Sequence, residues 1–74
     1  MRKMVPDGRG NRVHFSIPDH EWEFYCLACD RFMLDPLDRL SDQAALGCDS
    51  RELRSSCRLL IWYALKGDSQ GLLM

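Results

Sequence analysis

Several things missing from this 74-residue chain narrow what it can be. Its longest uninterrupted apolar run, Leu59 to Leu65, has seven residues, against the roughly 18 that a membrane-spanning helix requires. No membrane partner is expected. Met1-Arg2-Lys3 is followed by Val-Pro-Asp-Gly-Arg-Gly and not by an apolar stretch, so the start does not read as a secretory signal, and a cytoplasmic location is expected. Histidine is confined to His14 and His20, and there is no Gly-rich phosphate loop, no Gly-x-Ser-x-Gly elbow and no His-Glu-x-x-His pair. Enzymatic activity and a cofactor therefore have no support. Internal repeats and low-complexity tracts are also lacking, which excludes a solenoid.

The chain also lacks size. A domain this short buries a small share of its surface, and a lone core supplies only a few kcal/mol unless disulfides, a metal or a second subunit help. Cys26, Cys29, Cys48 and Cys57 would stay reduced in a cytoplasm, which leaves a metal or a partner. Four thiolates suffice for a structural zinc site. However, Cys26-Leu-Ala-Cys29 lies inside a helical pattern instead of a turn, and Cys48 and Cys57 are nine residues apart. Burial as small apolar side chains is the preferred reading of the cysteines, and a homodimer is the expected source of extra stability.

The formal net charge of −1 argues against strong nonspecific affinity for nucleic acid by the chain as a whole, but the charge is unevenly placed. Residues 1–17 hold Arg2, Lys3, Arg9 and Arg12 against Asp7, a net of +3, while residues 18–74 hold six basic and ten acidic side chains. Any anion-binding surface belongs to the N-terminal part.

Along the chain, Pro6, Gly8 and Gly10 among charges mark residues 1–11 as a flexible basic arm. A single domain of strand plus helices is expected over 12–67, with a short tail over 68–74. Val13, Phe15 and Ile17 alternate with His14 and Ser16, the pattern of a short strand with one apolar face, and Pro18 stops it. No second strand is evident, so pairing with a second copy is expected. A first helix follows Pro18, with Asp19, Glu21 and Glu23 near its positive end and Trp22, Tyr25, Cys26, Cys29, Phe32 and Met33 on one stripe. Phe24 and Leu27 lie off that stripe. Asp35 to Gly47 holds a short helix, read either as the second helix or as an insert. A last helix starts at Asp49, which forms a capping-box pattern with Glu52, and runs to Lys66. Leu53, Cys57, Leu60, Ile61 and Ala64 share its core face, whereas Leu59, Trp62, Tyr63 and Leu65 wrap the other sides and need a partner.

Arg12-Val13-His14-Phe15-Ser16-Ile17-Pro18-Asp19, followed by a helix of apolar period, resembles the start of ribbon-helix-helix transcriptional repressors. The resemblance covers residues 12–34. It implies a mainly α, intertwined dimer in which two strands pair across the subunits and enter the major groove of duplex DNA. Arg12, His14 and Ser16 would then read base edges, and Arg2, Lys3 and Arg9 would contact phosphate. Val13, Phe15 and Ile17, with Trp22, Leu59, Trp62 and Tyr63, would form the dimer or partner interface. The chain departs from the family in placing some 14 residues between the first and last helices and an acidic cap, Asp49, where a phosphate would be anchored. The competing reading is a small adaptor or inhibitor of the kind phages and mobile elements carry, which binds a host protein through the apolar end of the last helix.

Overall fold

The computed structural model describes residues 1–67, so the expected tail over 68–74 lies outside the described residues. Five elements follow in order: β1 (Arg2–Pro6), β2 (Arg12–Ser16), α1 (Asp19–Arg31), α2 (Pro36–Ala45) and α3 (Ser50–Lys66). The two strands form one antiparallel hairpin, in which Arg2 pairs with Ser16, Lys3 with Phe15, Met4 with His14, Val5 with Val13 and Pro6 with Arg12. The ladder continues by one pair, since Ile17 N–H donates to the Met1 carbonyl at 3.0 Å.

This hairpin corrects two expectations. Residues 1–11 do not form a flexible arm: 2–6 are a strand and 7–11 its connecting loop. In addition, β2 finds its pairing partner inside the same chain. The breakers taken as marks of disorder build the turn. The Asp7 carboxylate accepts from the backbone N–H groups of Arg9 (2.8 Å) and Asn11 (3.1 Å), which locks the loop from inside. Gly8 and Gly10 take φ of 78° and 86°, a region that a side chain with a Cβ adopts only under strain. β1 gave no alternation signal because its inward positions are Lys3 and Val5, with Met4 turned outward.

All three helices lie on one face of the hairpin: β1 packs on α2, β2 on α3, and α1 packs beside α3. α1 and α3 run in the same direction, since Glu21 near the start of α1 meets Arg54 and Arg58, and Arg31 at its end lies beside Gly67. Burial opposes ionisation of Glu21, but the Arg58 and Arg54 guanidiniums outweigh it and hold the carboxyl below its ordinary range. α2 is the return connection. Asp35 caps it, accepting from the N–H groups of Leu37 and Asp38, and Pro36 occupies the first turn. α3 starts on the expected capping box, with Asp49 and Glu52 each accepting from the other's backbone N–H, and ends at Gly67 with φ of 68°.

One core joins every element: Val5, Phe15, Ile17, Tyr25, Ala28, Cys29, Leu40, Ala44, Leu53, Cys57 and Leu60. Tyr25, its largest fully buried side chain, satisfies its hydroxyl by donating to the Pro36 carbonyl at 2.9 Å. The expected stripe on α1 holds for Tyr25 and Cys29. It fails at Met33, which is 94% exposed because the helix has already ended and the residue takes φ of 58°. No helix of the described residues is long and apolar enough to cross a membrane.

Candidate nucleic-acid interface

The hairpin has two unlike faces. Val5, Phe15 and Ile17 point inward and are buried, and Val13, Trp22 and Met1 are partly buried against them. Opposite them, Arg2, Met4 and Pro6 of β1 and Arg12, His14 and Ser16 of β2 are all exposed. The register sets these six as three cross-strand rows: Arg2 with Ser16, Met4 with His14, Pro6 with Arg12. Neither strand contains an acidic residue. The two guanidinium-bearing rows are four residues apart, roughly 13 Å along the ribbon. Between them lie an imidazole and a thioether.

The other two expected phosphate contacts differ in setting. Arg9 is exposed at the tip of the loop, with one guanidinium nitrogen donating to the Ala45 carbonyl at 3.2 Å. That bond holds the tip against the C-terminal end of α2. Lys3 is corrected: it belongs to the inward face, and its ammonium stands over the Trp22 ring at 5.3 Å from the centroid. Lys3 therefore covers the edge of the core and does not point with Arg2 and Arg12. Sequence reasoning missed the contribution of Met4 and Pro6 to the exposed rows. The signal available was Asp7-Gly8 followed by Gly10 ahead of an alternating strand, the composition of a longer hairpin loop. The Pro6 carbonyl accepts from the Ser41 hydroxyl, which ties the distal end of β1 to α2.

The residues expected to form an interface between subunits are divided by the fold. Phe15 and Ile17 are buried in the chain's own core, so their assignment to a dimer interface is corrected: β1 and the helices cover them. Trp22 packs edge-on against Phe15 and beside Tyr25, beneath the hairpin. Leu59 and Trp62 are about half exposed, and Tyr63 is partly buried against the Trp62 ring. Lys66 covers Trp62, with its ammonium 4.1 Å from the ring centroid.

Of the cysteines, Cys29 and Cys57 are buried and Cys26 and Cys48 partly exposed. Burial pushes the Cys57 thiol up to about 12 and raises Cys29 and Cys26 above the ordinary thiol range. Thiols desolvated in this way pack as small apolar side chains. Among the described residues, no group of three or more His, Cys, Asp or Glu side chains is placed to hold a metal ion.

The chain matches no protein-family model, no curated protein and no solved structure.

Proposed function

We propose that this chain binds duplex DNA by laying the outward face of its own hairpin in the major groove. The observation that carries the reading is the exposed set Arg2, Arg12, His14 and Ser16, presented by a two-stranded ribbon whose other face is anchored in the core. A two-stranded ribbon fits the roughly 12 Å width of the major groove. Arg2 stands on β1 and Arg12 on β2, so each faces one wall of the groove, and Arg9 at the tip adds a third cation. His14, with Met4 across from it, occupies the central row where base edges would lie. Pairing within one chain supplies the ribbon without the second copy that the resemblance to ribbon-helix-helix repressors implied.

The test is duplex binding by fluorescence anisotropy at rising salt. With about three phosphate contacts, affinity is expected to fall roughly 40-fold between 50 and 200 mM salt. Arg12→Ala or Arg2→Ala should each lower affinity and reduce the salt slope by about one, whereas Lys3→Ala should leave the slope unchanged. No binding at 50 mM salt, or binding indifferent to Arg2 and Arg12, would overturn the reading.

A further inference from the structure

On the side of the molecule formed by α1 and α3 lies an apolar groove of about 210 Å³, lined by Phe24, Leu27, Ala28, Ile61, Ala64 and Leu65, with Arg31 at one end. Its floor is made of small side chains, Ala28 and Ala64. Its rims are large and uncovered: Phe24 is 53%, Leu27 67% and Leu65 82% exposed. Packing two parallel helices does not require such residues on their outer side. In a chain of this size, large apolar side chains grouped around a groove signal an association surface.

The charge along the same stripe says what fits it. Glu23, Phe24, Leu27 and Arg31 recur at helical spacing on one side of α1, and all four are exposed. The stripe carries Glu23 toward its N-terminal end and Arg31 at its C-terminal end, with the exposed Asp30 beside Arg31 and an apolar middle. Glu23 and Arg31 are eight residues, about 12 Å, apart, too far to pair with each other. A second copy of α1 laid antiparallel across the first, with Leu27 near the twofold axis, brings Glu23 of each helix to Arg31 of the other. Both charges are then answered, and the exposed Leu27 side chains of the two copies meet at the twofold axis. Such a self-complementary stripe is what an isologous interface requires. We infer that the groove between α1 and α3 is a homodimer interface, with α1 crossing its twofold mate antiparallel. This surface lies on the helices, apart from the outward face of the hairpin, and the inference does not rest on the DNA-binding reading.

Sedimentation velocity of the full chain between about 1 and 100 µM tests it, a range covering dimers of micromolar affinity. The expected result is a monomer–dimer equilibrium that Leu27→Glu shifts to monomer; Leu27 is mostly exposed, and a circular dichroism spectrum matching the parent shows the variant to be folded. Glu23→Arg and Arg31→Glu should each weaken the dimer about tenfold, since twofold symmetry places each change in two ion pairs. Combining both reversals should restore it. A monomer at every concentration, or a dimer indifferent to Leu27→Glu, overturns the inference and leaves the groove to a different occupant. Charge reversals that fail to rescue each other overturn the antiparallel geometry.

Discussion

At the scale of single residues, burial decides what the cysteines can do. Four thiols in 74 residues invite a reading as ligands or as a redox pair. Yet Cys29 and Cys57 are closed off inside the helical layer, and desolvation holds Cys57 protonated up to about pH 12. Only the thiolate attacks a disulfide reagent, so these two should be inert toward it in the folded chain. Treating native protein with an aromatic disulfide at pH 8 should modify Cys26 and Cys48 first and spare Cys29 and Cys57 until urea is added. Mass spectrometry counts the adducts, and rapid modification of all four in the folded state would contradict the packing. The same physics gives a sign for alkaline pH. Cys57 is neutral when folded and ionises near its ordinary value when unfolded, so the stability it contributes is complete below about 9 and is lost as pH rises through about 12.

At the scale of elements, local signals and tertiary constraint contribute unequally. α3 carries its own start and stop: the Asp49 and Glu52 box, and Gly67 in the left-handed region. Such ends are readable because the atoms that satisfy the first N–H groups belong to residues within one turn. Asp49→Ala should cost about 1 kcal/mol, measured as a shift in the urea midpoint at unchanged slope. β1 is the opposite case. It has one buried apolar residue, Val5, and a proline at its end, and becomes a strand only because β2 and the Asp7 turn hold it in register. Its carbonyl at Pro6 is engaged by Ser41 from α2, a contact 35 positions away in sequence. No local pattern announces such a bond.

At the scale of the whole molecule, five elements share a single core, so no part has an independent source of stability. Phe15 lies between the hairpin and α1, fully buried against Trp22. Phe15→Ala should cost about 3–5 kcal/mol, comparable to the entire stability of a domain this small. Loss of the hairpin should therefore coincide with loss of the helices. The same transition is expected from tryptophan fluorescence and from helical circular dichroism; separate midpoints for the two probes would show that the core is not one cooperative unit. Joining the ribbon to the core also bears on the proposed function. A recognition surface docked rigidly on three helices loses less freedom on binding than a basic arm that must first be ordered.

The sequence alone determined the three helices, the capping box and glycine stop of α3, the strand Arg12–Ser16 and which of its residues face outward. Each of these depends on periodicity or on partners within a few positions. What only the tertiary structure decided was the fate of residues 1–11, the division of Lys3 from Arg2, and the ownership of Phe15 and Ile17. All three follow from β1 pairing with β2, which turns a basic arm into half of a ribbon and places the strand's apolar face in its own chain's core. That pairing rests on backbone hydrogen bonds, which every residue can accept and every residue except proline can donate, and so side-chain pattern carries little trace of it. The groove between α1 and α3 was visible only as Phe24 and Leu27 lying off the buried stripe. Its floor of Ala28 and Ala64 emerged once the two helices, 18 residues apart along the chain, were placed side by side.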